Sequence, residues 1–367
     1  MKSEIKTALI LVAVIIVGIS ITSIMLSTLD TQTSDKSVET NSFEKINKFG
    51  FKTAPDLVGI EYYLNTTPEE LSKEIKDKVV LYDFWTYSCI NCIRTLPYIT
   101  AWNEKYSDEG LLIIGVHSPE FEFEKDPKNV KMAITKHGIS YPVALDNDMK
   151  TWKAFENRYW PRKYIADHEG YIRYDHIGEG GYKETEKIIQ ELLEERATSL
   201  GIQKPSNEVL VDIKEFEHTV FRTPELYFGY KFAQNRNQLG SEEGFQPEKT
   251  ISYSEPTNIE LHKFYPIGDW KNYEDSMELD SDTGSIKLLY NAKEVNIVTN
   301  NNAALEILLD GQPLPSKYAG SDIASNGMLK VSEAGLYNII SSESSSSHTI
   351  EIKVSGKGFQ IFTFTFG

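Results

Sequence analysis

The chain has 367 residues and a formal net charge of −16, with 38 Lys and Arg against 54 Asp and Glu. That balance excludes a general nucleic-acid binder, because phosphate contact needs clustered cations and no basic run occurs outside the extreme N-terminus. The length exceeds one ordinary domain and suits two folded units on a tether, while the only two cysteines, three positions apart, leave none for a separate disulfide framework.

Residues Ala8 to Leu26 are apolar apart from small hydroxyl side chains, enough to cross a hydrocarbon core as a helix. Lys2 and Lys6 precede this run and Asp30 and Asp35 follow it, which sets the N-terminus in the cytoplasm and everything after residue 30 outside. The run is long for a cleaved signal, yet Ser23 and Ser27 keep a signal peptide open as the alternative. The expected organisation is therefore an anchor or signal peptide over 1–30, a flexible Ser/Thr/Asp-rich linker over 31–50, an α/β unit over 51–200 and a β unit over 205–367.

The run from Lys78 to Trp85 has the β-branched and aromatic content of a buried strand and leads into Cys89-Ile90-Asn91-Cys92. Apolar spacing at Ile93, Leu96, Ile99 and Trp102 predicts a helix over 90–106, with Pro97 inside it. Next come a strand over 111–118, a helix over 129–137, a strand over 141–145 and a short helix over 152–157. Strands over 163–166 and 171–177 flank the hairpin-like turn Asp167-His168-Glu169-Gly170, before an amphipathic helix over 184–195. This order predicts a mixed sheet with helices on both faces.

A C-x-x-C at a helix N-terminus suits thiol–disulfide exchange, in which the thiolate is the nucleophile. Unpaired N–H groups and the positive end of the helix dipole favour the anion on Cys89, the attacking residue. Cys92, one turn later, resolves the mixed disulfide, so the two form the expected redox-active disulfide. A tetrahedral zinc site lacks a second ligand pair, and the seven histidines are scattered; neither metal nor cofactor is expected. Asp83 reads either as a buried carboxyl able to relay a proton or as a strand-end residue facing solvent.

Asp83-Phe84-Trp85, the spacing to Cys89, and Pro97 five after Cys92 resemble the thioredoxin segment D-F-W-x-x-x-C-x-x-C-x-x-x-x-P. The longer runs FWTYSCINCIRTLPYI, GVHSPEFEFEKDPKNV, YPVALDND and YWPRKYIADHEGYIRYDHIGEGGY resemble the TlpA-type thioredoxin domain of the DipZ family, over Phe51 to Glu195. The resemblance implies a thioredoxin fold, a proton-relay role for Asp83, and a cis-proline at Pro161 set against the cysteines. It also implies substrate contacts at Trp85 and Trp160, the latter through its backbone. DipZ-type proteins carry a multi-helix membrane unit where this chain has one span, so electrons are expected from a separate membrane donor of the CcdA or DsbD kind. The expected substrates are disulfides of exported proteins.

After Ser199, period-two patterns predict strands over 285–290, 295–299, 305–310, 328–331, 336–340, 350–354 and 360–366, with a turn at Asp310-Gly311 and a loop over 341–347. Phe362, Phe364 and Phe366 fall on one face of the last strand, as core residues. A β-sandwich or jelly roll is expected, and Thr223 to Gly229 resembles the opening of the galactose-binding-like domain of DipZ proteins. Trp270, Tyr273 and Tyr318, if exposed, could stack on envelope glycans, or could simply close the sandwich.

Two other functions fit parts of the sequence. Thr86, three before Cys89, matches a peroxiredoxin-like peroxidase, although the usual preceding proline is absent and Cys92 counts against it. A carbohydrate-binding surface protein with a scaffold thioredoxin domain is the other. Ile90-Asn91 adds neither charge nor histidine beside the thiolate, which predicts a reductant of low to middling potential.

Overall fold

The computed structural model describes residues 48–205, 209–218 and 222–367, over which the chain builds an α/β half followed by an all-β half. The expected membrane span, Ala8 to Leu26, lies outside the described residues. Among those described, no helix is long and apolar enough to cross a membrane.

The α/β half runs β1 (Tyr62–Leu64), α1 (Pro68–Glu74), β2 (Val79–Trp85), α2 (Ile90–Tyr106), β3 (Leu111–His117), a 3-10 turn (Glu122–Lys125), α3 (Pro127–Lys136), β4 (Val143–Leu145), α4 (Lys150–Ala154), β5 (Arg162–Ala166), β6 (Ile172–Ile177) and α5 (Tyr182–Leu200). The sheet order is β1-β4-β3-β2-β5-β6. β2, β3 and β4 are parallel, whereas β1, β5 and β6 join antiparallel.

Every residue of β2 is buried, as expected of a central strand covered on both faces. Its two-residue period decides where the site lies. Val79, Leu81 and Trp85 enter one core with Cys92, Leu96 and Ile99 of α2, while Val80, Tyr82 and Phe84 enter the opposite core with Trp152 and Phe155. Asp83 has the parity of the first set and so faces α2.

The all-β half contains β7 (Leu226–Tyr227), β8 (Thr250–Tyr253), β9 (Phe264–Asn272), β10 (Met277–Leu279), β11 (Thr283–Asn300), β12 (Ala303–Leu309), β13 (Gln312–Pro313), β14 (Met328–Val331), β15 (Gly335–Ser355) and β16 (Gln360–Phe366). The layers expected of a sandwich belong to one continuous hydrogen-bonded sheet that turns back on itself. β11 pairs β9 through its first half and β16 through its second, and β10 bridges β9 to β16.

Three expectations change here. The loop over 341–347 is strand, because Ser346, Ser347 and His348 of β15 pair with Ala292, Asn291 and Tyr290 of β11; a serine-rich composition reads as loop until a partner strand satisfies its backbone. Phe362 leaves the face of Phe364 and Phe366, because the β11–β16 register shifts between Val298 and Thr299 and the bulge turns its ring toward the α/β half. Trp270 is fully buried, its indole N–H donating to the Ile267 carbonyl at 3.0 Å, and Tyr273 and Tyr318 are half-buried. Trp270 therefore offers no exposed face to a sugar ring.

The two halves belong to one compact unit, Gly50 to Gly367. Phe362 meets Phe121 and Phe123 at ring distances of 5.1 and 4.7 Å. Arg94 of α2 reaches Glu294 of β11 at 2.6 Å while its guanidinium lies 3.5 Å from the centre of the Phe216 ring.

Candidate active site

Cys89 caps α2 in extended backbone conformation, and its sulfur accepts the Cys92 N–H at 3.4 Å. This is the orphan donor of a first helical turn satisfied by the attacking sulfur itself. Cys89 is partly exposed and Cys92 is buried, and both are free thiols. The exposed sulfur is the one a substrate can reach. Burial, the hydrogen bond that the Cys92 S–H gives to the Cys89 sulfur and the negative charge of Asp83 hold the Cys92 thiol well above the usual thiol range.

Asp83 lies below this pair, 1% exposed, with one carboxylate oxygen lacking a hydrogen-bond partner. Burial pushes its carboxyl up to about 6, against the pull of Lys163. Lys163 stands directly opposite Asp83 in the β2–β5 ladder, fully buried, its ammonium donating to the Gly178 carbonyl at 3.3 Å. Desolvation lowers its proton affinity while Asp83 and Cys92 oppose that shift.

Trp160 and Pro161 are joined by a cis peptide bond, and Pro161 is buried. The Trp160 indole donates to the Ser118 carbonyl at 2.9 Å, and Trp160 shares the lining of one cleft with Cys89. Trp85 is fully buried, edge-on to His117 at 5.3 Å, and is not among the residues lining that cleft. The structure therefore brings together Cys89, Cys92 and Asp83, with Trp160 at the cleft, and leaves Trp85 beneath them in the core.

Sequence reasoning missed Glu124, which lies in the acidic run FEFEKD. Its carboxylate is fully buried and accepts the Ser88 hydroxyl at 2.6 Å, the Glu120 N–H at 2.6 Å and the Phe121 N–H at 2.9 Å. Ser88 precedes the attacking cysteine, so Glu124 pins the 118–124 loop to the active-site turn. Replacing it with alanine orphans these buried donors and should lower the unfolding free energy by about 2–4 kcal/mol in urea titrations. A loss below about 0.5 kcal/mol would contradict this bracing role.

A parallel central strand feeding a helix capped by the first cysteine of a C-x-x-C, with the second cysteine buried beside a carboxyl, defines a thioredoxin-fold thiol–disulfide oxidoreductase. Comparison with known proteins agrees. The family described as Redoxin matches residues 51–193, and the thioredoxin-like C-terminal domain family matches residues 223–367. The chain is 36% identical over 318 residues to protein DipZ of Mycobacterium bovis and of Mycobacterium tuberculosis, covering 86% of this chain and 43% of those proteins. It thus spans less than half of their length. It is 35% identical over 143 residues to the thiol–disulfide oxidoreductase YkuV of Bacillus subtilis, covering 38% of this chain and 94% of that protein. A solution structure of a thioredoxin-like protein in the oxidized form aligns with a TM-score of 0.36 at 34% identity, covering 40% of this chain and 97% of its own. The chain belongs to the thioredoxin-like family of thiol–disulfide oxidoreductases and is a homologue of DipZ.

Proposed function

We propose that the protein is a membrane-anchored, extracytoplasmic reductase of disulfides in exported proteins, resupplied with electrons by a separate membrane donor of the CcdA or DsbD kind. The observation that carries the exchange chemistry is the division of labour in the C-x-x-C, with Cys89 open to a cleft and Cys92 buried over Asp83. The reductive direction is supported by Ile90-Asn91, which adds neither charge nor histidine beside the thiolate. The apolar run from Ala8 to Leu26, with lysines before it and aspartates after it, supports the anchor and its orientation.

The Cys89 thiolate attacks one sulfur of the substrate disulfide. The substrate S–S bond breaks, a Cys89–substrate disulfide forms, and the departing thiolate takes a proton from water. The Cys92 thiol then gives its proton to the Asp83 carboxylate and attacks the Cys89 sulfur, releasing the second substrate thiolate and leaving Cys89 and Cys92 joined. The substrate gains two electrons and the enzyme loses two, which the donor must restore. Trp160, at the edge of the cleft, is placed to line the bound segment.

The direct test mixes the dithiothreitol-reduced chain, freed of reductant, with a disulfide-bonded protein and follows free thiols on both. Stoichiometric transfer of two electrons per chain is expected; no transfer would overturn the reading. For the supply route, cells lacking membrane thiol transporters should accumulate the oxidised form. Fully reduced protein in such cells would remove the proposed donor.

A further inference from the structure

The cleft over Cys89 measures about 490 Å3, and the β half supplies its far wall. Cys89, Ile90 and Asn91 lie on one side with Trp160, and Arg222, Glu225, Tyr227 and Arg236 face them from the other. Arg158, two residues before Trp160, lines the same space. A volume of this size suits a ligand site, and here it opens onto the attacking thiol.

Its charge is opposite to that of the molecule. Arg158, Arg222 and Arg236 are all exposed, and among the described residues none takes part in an ion pair. Arg222 contacts His218 at 3.1 Å, and Arg236 lies 4.7 Å from the centre of the Tyr227 ring. In a chain of net charge −16, three such arginines around one cleft make a local positive field.

The carboxyls of the cleft cancel less of that field than their number suggests. The Tyr227 hydroxyl stands 2.9 Å from Glu120 and 2.8 Å from Glu225. A phenol has one hydrogen to donate, so both short contacts are satisfied only when one carboxyl keeps a proton and donates it to the phenol oxygen. Burial and mutual repulsion, with Glu124 nearby, push Glu120 upward, and burial does the same for Glu225, while Arg236 opposes both shifts and Arg222 opposes that of Glu225. The pair thus counts as one negative charge against three positive ones.

We propose that this cleft binds an extended protein segment carrying acidic side chains beside its disulfide, with the β half acting as the wall that reads the charge. The proposal rests on the reductase reading and adds its substrate class. Trp160, Phe232 and Phe366 line the same cleft and offer flat apolar contact along a polypeptide, beyond what a small anion would use.

The test uses the reduced full chain in neutral detergent and three peptides with one disulfide each, flanked by two Glu, two Gln or two Lys. Stopped-flow reduction should be about tenfold faster for the Glu peptide than for the Lys peptide at low salt. The ratio should shrink toward one in about 0.5 M salt, as screening requires. In Arg158→Gln/Arg222→Gln/Arg236→Gln the Glu-to-Lys ratio should fall within about twofold of one. Equal rates in the unmodified protein, or a ratio unchanged in the triple variant, would overturn the charge reading. Glutathione disulfide reduced as fast as the Glu peptide would overturn the polypeptide in favour of a small anion. Reduction of none of the peptides would instead defeat the reductase reading itself.

Discussion

Cys92→Ser turns the enzyme into a trap, and Cys89→Ser abolishes exchange. With Cys92 gone, Cys89 still lines the cleft and still caps α2, so it forms the mixed disulfide. The release step then has no internal thiol, because the chain contains no third cysteine. Non-reducing electrophoresis of Cys92→Ser incubated with an oxidised substrate should show a covalent adduct that persists for minutes and vanishes with dithiothreitol. Cys89→Ser should form no such adduct and lose at least about 10³-fold in turnover, since the remaining thiol is 1% exposed. An adduct of equal yield on Cys89→Ser would reverse the assigned roles.

Asp83→Asn has the second largest expected effect, and pH separates its two parts. Above about 6 the carboxyl is ionised and can take the Cys92 proton; below that it is already protonated. Release of the mixed disulfide should therefore quicken as pH rises through about 6, and Asp83→Asn should slow it by roughly 10²-fold at neutral pH and erase that step in the profile. The stability effect has the opposite sense. The folded-state carboxyl is raised from 3.8 to about 6, so its cost is absent below the unfolded value and complete above the folded one. Between those limits the protein should lose about 3 kcal/mol of unfolding free energy from this group alone. Asp83→Asn should flatten that part of the pH–stability curve, measured by urea unfolding at several pH values. An unchanged slope would mean that the carboxylate is not buried as described.

Much of this site was legible in the sequence, for identifiable reasons. The apolar run of β2 and the helical spacing of α2 are strong periodic signals, and the helix spans Ile90–Tyr106 as read. The side of the strand on which Asp83 lies was not decidable locally, because all seven positions of β2 are buried and no apolar–polar alternation marks a face. Lys163 and Glu124 escaped because lysine and glutamate ordinarily mark solvent. Only the register with Asp83 and the donors around residues 118–124 give them their roles. In the β half, β9 was hidden by Pro266, Gly268 and Asp269, and the bulge at Phe362 depends on a partner strand more than sixty residues away. β15 was split in two because composition cannot see a partner that satisfies a polar strand.

The most direct test of a reversible Cys89–Cys92 couple is equilibration of the full chain across a series of glutathione redox buffers, followed by acid quench, alkylation and peptide mass spectrometry. One two-electron transition confined to these cysteines is expected, with a midpoint below roughly −200 mV as befits a reductant. No intramolecular disulfide at any poise would contradict exchange chemistry at this site, and a midpoint near roughly −120 mV would make the protein an oxidant instead.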